Sequence, residues 1–339
     1  MAHDPHPVAP GRPGEFDLIA GYFAPLASRP GAFGLLDDAA CLPVLPGTDI
    51  VVTKDSLAAN VHFLDTDPPD LIARKALRVN LSDLAAKGAE PFAYFLSLAL
   101  PPDWTEAWIA DFTRGLREDQ DTYGVDLYGG DTLKSPGGLV VSITAIGRLP
   151  TDTMVTRLGG RSDDLLFVTG TIGDAALGLK VHAGRPEVDE WHLSPCQQAE
   201  LRDRYLLPRP RVALSEAVRA HASAAMDVSD GLLGDLGKLC RASGLGAVLH
   251  SDQVPLSAPV ATAIESGGAG LDLALDGGDD YEVLVAIPPE RQAGFEADAA
   301  AVGIPATRIG SLTKFAPGVS VIDAGGETVP MRSRSFEHF

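Results

Sequence analysis

Apolar residues recur along the chain at two spacings, and the switches between them mark out helices and strands in alternation. Phe16, Ile19, Ala20 and Phe23 share one face of a helix, and the β-branched run Ile50 to Val52, ending in the polar turn Thr53-Lys54-Asp55, predicts a strand. Leu71, Leu77, Leu81 and Leu84 form a helical stripe between Asp67-Pro68, an N-cap followed by a first-turn proline, and Gly88, a C-terminal stop. This helix carries Asn80 and Asp83 in its C-terminal half. Phe92 to Leu100 reads as a strand buried on both faces, and Trp104, Trp108, Ile109, Phe112 and Leu116 return to helical spacing. Val125 to Tyr128 and Leu139 to Ile146 predict two more strands, separated by the turn Gly129-Gly130-Asp131-Thr132.

Leu149-Pro150-Thr151-Asp152 reads as a domain junction, after which the alternation resumes. Strands are expected at 165–169, 224–228, 281–287 and 319–322, and helices at 172–182, 211–221, 232–242 and 291–302. A chain of 339 residues exceeds what one core organises. The expectation is therefore a two-domain α/β or α+β protein, with a loose tail at 1–13 and domains at 14–149 and 150–339.

Composition narrows the classes. With 45% hydrophobic and 22% charged residues the chain is globular in character. A formal net charge of −19 argues against nucleic acid or an anionic membrane surface as partner, because phosphate contacts need clustered Lys and Arg. No apolar run approaches the ~20 residues of a membrane helix, and the Pro- and His-rich start lacks the pattern of a secretory signal. Cys41, Cys196 and Cys240 form no CxxC pair, which fits a reducing, cytoplasmic setting.

The familiar nucleotide motifs are missing. The nearest approach to G-x-x-x-x-G-K-[ST], Gly231 to Lys238, has one residue too many and is followed by Leu239. Neither the protein-kinase set nor a dinucleotide fingerprint occurs, and Asp227-Val228-Ser229-Asp230-Gly231 has Asp where a nucleophile elbow needs Gly. What stands out is a set of Asp-bearing turns beside predicted strand ends: Asp37-Asp38, Asp55, Asp131, Asp227 with Asp230, and Asp279-Asp280, with Asp83 on the long helix. Mg²⁺ takes hard oxygen ligands and bridges carboxylates to phosphate oxygens, so converging Asp residues suit a nucleotide–metal site. Each such Asp taken alone is ordinarily an Asx-turn or a helix cap, so residue types leave both readings open.

The order of the motifs adds a resemblance. Gly14-Glu15-Phe16-Asp17-Leu18-Ile19-Ala20, Asp37-Asp38-Ala39-Ala40, Asp55 through His62-Phe63, Lys75 through Ala86, and Gly129-Gly130-Asp131-Thr132 come first. Thr156-Arg157, Thr169 through Ala176, Met226 through Leu232, Gly277 through Glu282 and the ending Phe336-Glu337-His338-Phe339 follow. In this order they resemble the thiamine-monophosphate kinase family over nearly the whole chain. The resemblance implies the fold shared with aminoimidazole ribonucleotide synthetase and selenophosphate synthetase. In that fold an N-terminal domain binds ATP and Mg²⁺ and dimerises through a β-barrel, and a C-terminal α/β sandwich completes the nucleotide and substrate cleft. It further implies a homodimer that uses ATP and several Mg²⁺ ions to convert thiamine monophosphate to thiamine diphosphate, the last step of thiamine diphosphate biosynthesis.

Residue by residue, the resemblance implies Asp38, Thr53, Asp55, Asp83, Asp131, Asp227 and Asp230 as metal ligands. Gly130, Asp131, Arg157 and Ser229 would contact ATP, and His62, Asp279 and Phe336 would contact the substrate. No covalent nucleophile is implied. On residue type alone, a His beside Phe packs or caps as readily as it binds, and a terminal aromatic plugs a surface as readily as it stacks on a ligand.

The chain departs from the family pattern at several positions. Lys54 stands where a Thr usually precedes the metal-binding Asp; it either substitutes for part of a cation's charge or, the favoured expectation, pairs with neighbouring Asp side chains. Leu35-Leu36 replaces a Gly-containing approach to the first Asp pair. Leu133-Lys134 replaces Thr-Arg, trading a bidentate fork for a point charge, and Asp279 replaces Glu. Rival readings are a selenophosphate synthetase, which needs a reactive Cys or selenocysteine before Cys41, a carbamoyl dehydratase, which ends in Cys rather than Phe339, and a non-enzymatic nucleotide-binding scaffold.

Overall fold

Residues 13–315 and 318–331 are described by the computed structural model, and they fall into two units. The first unit comprises the chain up to Pro46, Val52–Asn80 and Pro91–Gly147; the second comprises Gly47–Val51, Leu81–Glu90 and the chain from Arg148 onward. The tail expected at 1–13 and the Phe336 ending lie, but for Pro13, outside the described residues.

The first helix, α1 (Glu15–Leu18), runs into a π-helical turn at Ile19–Phe23. It is too short to keep one face inward, so Phe23 is buried while Phe16 is 86% exposed, contrary to the helical face expected. Then come β1 (Thr48–Ala58), α2 (Pro69–Ala86), β2 (Glu90–Leu100), α3 (Glu106–Tyr123), β3 (Asp126–Lys134) and β4 (Val140–Pro150). Thr105 caps α3 by accepting a hydrogen bond from the Trp108 N–H at 3.1 Å, and left-handed Gly124 ends it. The strands form a four-stranded sheet in the order β1-β4-β2-β3, with β2 and β3 parallel on either side of the α3 crossover.

Two expected turns prove to be strand. Thr53-Lys54-Asp55 continues β1, where the Asp55 N–H donates to the Asn80 side chain at 3.0 Å. Gly129-Gly130-Asp131-Thr132 lies inside β3: a register shift pairs Tyr94 with Leu127 but Phe95 with Gly129, so Tyr128 is the extra residue of a bulge. Glycine is required at 130 because a Cβ there would overlap the Leu96 carbonyl oxygen. The sheet is open among the described residues, with β1 and β3 as its edges.

Between α2 and α3 lies a buried ion cluster. Asp119 of α3 is inaccessible and accepts two hydrogen bonds from Arg78 at 2.7 and 2.8 Å, and one from Arg74 at 3.1 Å.

The second unit continues with β5 (Leu165–Thr169), α4 (Asp174–His182), α5 (Pro195–Leu206), α6 (Ser215–His221), β6 (Ala224–Asp227), α7 (Leu232–Ser243) and β7 (Gly246–His250). After these come α8 (Ala258–Glu265), α9 (Leu271–Asp276), β8 (Val283–Ile287), α10 (Gln292–Ala301), β9 (Ala306–Thr313) and β10 (Gly318–Ile322). Its six strands form a mixed sheet in the order β10-β7-β9-β5-β8-β6, parallel only between β10 and β7. Successive β5 residues face opposite ways: Leu166 and Val168 join a core with α7, whereas Leu165 and Phe167 join one with Phe295 of α10. That two-sided burial explains why the strand is apolar throughout. No helix of the described residues is long and apolar enough to cross a membrane.

Replacing Asp119 by Ala takes both carboxylate hydrogen bonds from buried Arg78, whereas Arg74 keeps Glu118. A loss of roughly 3–5 kcal/mol is expected, read as a lower urea midpoint; a loss below about 1 kcal/mol would show that the cluster carries no such burden.

Candidate functional site

In the first unit a cavity of about 420 Å³ is lined by Asp37, Asp38, Gly129, Gly130 and Asp131, together with apolar side chains. Asp131 lines this cavity from β3, and Asp37-Asp38 from the chain preceding β1. Thr53 and Asp55 lie on β1. The ring of His62, in the turn after β1, accepts at Nδ1 from the Ala58 N–H at 3.1 Å, and its carbonyl accepts from Lys75 at 3.1 Å. In the neutral imidazole the proton is therefore on Nε2. Lys54 does not meet the favoured expectation: its ammonium donates to the hydroxyls of Ser142 at 2.7 Å and Ser56 at 3.3 Å, because alternation along β1 turns it to the same face as Ser56, which is itself bonded to Ser142.

In the second unit Asp83 of α2 stands beside Asp227, the last residue of β6. Burial first, then the neighbouring Asp83 carboxylate, pushes the Asp227 carboxyl up to about 8, against a partial pull from the Ser82 hydroxyl. Lys87 and Arg157 belong to the same neighbourhood: burial, then the Arg157 guanidinium, brings the Lys87 ammonium down to about 8, while Asp227 and Asp83 oppose that change.

The turn after β6 is held by a residue the motif reading left without a role. Asp235, in the first turn of α7, accepts from the N–H groups of Ser229 and Asp230, both at 2.9 Å. Lys238 donates to Asp235 at 2.8 Å and to Asp230. Burial raises the Asp235 carboxyl above its usual range despite the pull of Lys238.

This turn is bonded to a second. Asp279 donates its N–H to the Ser229 carbonyl at 2.8 Å, Tyr281 to the Val228 carbonyl at 2.9 Å, and Val228 to the Glu282 carbonyl at 2.8 Å. Gly278 (φ 75°) packs so closely that a Cβ would sit 2.5 Å from the Ser229 oxygen. Asp279 and Tyr281 adopt left-handed φ values of 63° and 50°, which side chains avoid unless the surroundings impose them. The imposing groups are their neighbours. Asp280 accepts from the N–H groups of Gly173 at 2.8 Å and Ala175 at 3.1 Å, at the start of α4. Buried Glu282 accepts from Arg204 at 2.9 Å, from Arg211 at 2.5 and 2.6 Å, and from Thr169 at 2.6 Å. The Thr169 to Ala176 motif is thus the receptor for the Gly277 to Glu282 turn.

The structure lines one cavity with Asp38 and Asp131, and brings Asp83 to Asp227 and Ser229-Asp230 to Asp279. Among the described residues no three or more His, Cys, Asp or Glu side chains gather closely enough to hold a metal ion by themselves. The donors nonetheless fit Mg²⁺ chemically: they are carboxylates, Asp227 is buried beside a like charge, and this ion is ordinarily held by one or two carboxylates with phosphate oxygens and water completing the shell. Asp235, Lys238 and Glu282 were missed as site-builders, and Asp280, named with Asp279 among the Asp-bearing turns, serves as an anchor of the backbone.

Burial pushes the Asp280 carboxyl up to about 8, from an ordinary 3.8. The folded state therefore holds a proton that the unfolded chain releases, and this contribution is complete below about pH 4 and lost as pH rises toward about 8. Asp280→Asn should accordingly gain on the native chain in unfolding temperature between about pH 5 and pH 8 in EDTA. A difference independent of pH would contradict this.

Comparison with known proteins bears on the same segments. Residues 36–149 match the AIR synthase related protein N-terminal domain and residues 161–322 its C-terminal domain. The chain is 44% identical over 326 residues to the thiamine-monophosphate kinase of Caulobacter vibrioides, covering 94% of this chain and 90% of that protein. It is 38% identical to that of Escherichia coli, covering 96% and 98%. Its fold is similar to AaThiL complexed with AMPPCP and TMP, with a TM-score of 0.76 and 30% identity over 91% of this chain and 97% of that one. The chain belongs to the thiamine-monophosphate kinase family of the AIR synthase related proteins.

Proposed function

We propose that the chain transfers the γ-phosphoryl group of ATP directly to the phosphate of thiamine monophosphate, giving thiamine diphosphate and ADP. The observation that carries the reading is the paired turn of the second unit, in which Ser229-Asp230 and Asp279 are presented together by backbone hydrogen bonds. The relatives' shared name and the complex of AaThiL with AMPPCP and TMP support both ligands.

In this reading Gly130, Asp131, Arg157 and Ser229 contact ATP, and His62, Asp279 and Phe336 contact thiamine monophosphate. Phe336 lies outside the described residues. Asp38, Thr53, Asp55, Asp83, Asp131, Asp227 and Asp230 hold Mg²⁺, which when bound supplies charge neutralisation between two anions. The acceptor is a phosphate monoester, already nucleophilic at neutral pH, so its oxygen forms a bond to the γ-phosphorus as the bond to the β-phosphate oxygen breaks. No side chain need remove a proton or carry the phosphoryl group. The work of the chain is positioning: left-handed Asp279 is aimed by its N–H bond to the Ser229 carbonyl and by the Asp280 and Glu282 anchors that follow it, and His62 offers its Nε2–H as a donor to an anionic oxygen.

We further read residues 14–149 as the ATP- and Mg²⁺-binding and dimerising domain, and 150–339 as the domain that completes the site. The open sheet of the first unit supports a homodimer closing into a barrel, since its edge strands expose Val52 and Leu133. Three free cysteines suit a cytoplasmic setting.

Incubation with ATP, Mg²⁺ and thiamine monophosphate should yield thiamine diphosphate by chromatography, with unphosphorylated thiamine unreactive. Asp227→Asn should cut turnover on the order of a hundredfold or more. Rapid quench with labelled ATP should trap no phosphorylated protein; a stable phosphoenzyme would exclude direct transfer.

A further inference from the structure

Three loops at one end of the first unit's sheet enclose a second cavity, of about 740 Å³, that has no part in the assignments above. One follows β1, one follows β2 and one precedes β4, and the Ala59 N–H ties the first to the last by donating to the Leu139 carbonyl at 2.9 Å. Two half-buried tryptophans line the cavity, Trp104 just before α3 and Trp108 in its first turn. The Trp108 ring is stacked on Phe112, with centroids 5.0 Å apart and planes at 19°, which fixes its orientation.

The charge of the lining is one-sided. Asp65 and Asp103 contribute carboxylates, and no Lys, Arg or His among the described residues lines the cavity. Asp65 is held by a neutral group: left-handed Asn60 (φ 62°) donates its side-chain amide to the Asp65 carboxylate at 3.1 Å and accepts from the Asp65 N–H at 3.3 Å. Those bonds orient the carboxylate without cancelling its charge. Indole faces also attract positive charge, through the ring quadrupole. A ligand that answers both features is flat, so that it covers an indole face, and cationic; a phosphate is repelled here, and an uncharged ring leaves the carboxylates unanswered.

We propose that this cavity binds a planar aromatic cation, and that its ligand is the thiazolium-bearing ring system of a thiamine compound. The choice of thiamine rests on the proposed activity, whereas the preference for a flat cation does not. Asn60 and Asp65 flank His62 in the chain, a residue read as a substrate contact. Two sources offer the same ring: the substrate bound for turnover, and a second thiamine molecule bound apart from it.

The tryptophans report on the site directly. Of the three in the chain, Trp104 and Trp108 line the cavity, and Trp191 of the second unit is inaccessible, with its indole N–H donating to the Gly268 carbonyl at 2.9 Å. Tryptophan fluorescence of the full chain, without nucleotide or metal, should be quenched saturably by thiamine and not by its aminopyrimidine half, held neutral in mildly alkaline buffer. Trp104→Leu should weaken thiamine binding on the order of tenfold. Asp103→Asn, on an exposed turn, should weaken it about threefold and flatten its dependence on salt.

No saturable quenching of the native chain by thiamine would overturn the inference, as would equal quenching by the neutral half or native affinity in both variants. If Trp104→Leu does not fold, Asp103→Asn and Asp65→Asn decide, and native affinity in both overturns it. Kinetics of thiamine monophosphate turnover name the source. A raised KM with native kcat in Trp104→Leu identifies the ring as the substrate's, and a native KM beside weakened thiamine binding identifies a second molecule; either upholds the site. Thiamine bound here by a chain that does not phosphorylate thiamine monophosphate would sink the proposed activity and leave the site standing.

Discussion

A carboxylate removed from water needs donors or a cation in place of its lost hydration, or it keeps its proton. That constraint sorts the buried acids of this chain. Asp119 has two arginines, Glu282 has two arginines and a hydroxyl, Asp280 has two backbone N–H groups, and Asp235 has two N–H groups and a lysine. These acids hold the scaffold, although burial still pushes Asp280 up to about 8 and raises Asp235. Asp227 differs in its supply: the nearby Ser82 hydroxyl offsets its burial only in part, its neighbour Asp83 repels it, and Lys87 donates to the Ala225 carbonyl instead. A buried acid so poorly supplied is unfavourable as structure, and perturbed acids of this kind gather at functional sites.

The well-supplied acids do more than tolerate burial, because they impose conformations the chain would otherwise avoid. Asp279 and Tyr281 sit in left-handed backbone and alternate with Asp280 and Glu282, which are fastened to different parts of the second unit. The turn cannot relax without breaking one of those anchors. Its backbone bonds to Ser229 and Val228 make the two signature turns a single body, so the residues assigned to nucleotide and to substrate share one rigid support.

Long elements with a persistent period were legible in the sequence: α2, α3 and α7 fall where their apolar stripes lie, and β5, β6 and β8 where short runs are apolar on both faces. Elements with a broken apolar pattern were not. In β9 Gly310 breaks the pattern, in β7 the apolar run is only Ala247 to Leu249, and neither strand is marked by the apolar spacing. Gly129-Gly130 misled because the letters of a turn are also those of a close backbone crossing, and only the partner strand distinguishes them. At the site, the order of motifs located the Asp residues. It was silent on which N–H groups Asp235 and Asp280 would meet, since such bonds join segments distant in sequence. Lys54 shows the limit most plainly, because strand alternation turned its ammonium to serine hydroxyls rather than to the acids beside it in sequence.

The overall charge of −19 gives a misleading picture of the Asp227 neighbourhood. Four carboxylates, Asp83, Asp227, Asp230 and Asp235, are accompanied by three cations, Lys87, Arg157 and Lys238. The cations offset much of the charge of these acids, and burial with the Asp83 charge raises the Asp227 carboxyl, so this neighbourhood is less negative than its acids alone suggest. Acids can therefore sit together here in a folded chain, and a raised, buried carboxyl is one that a stronger positive charge would readily deprotonate.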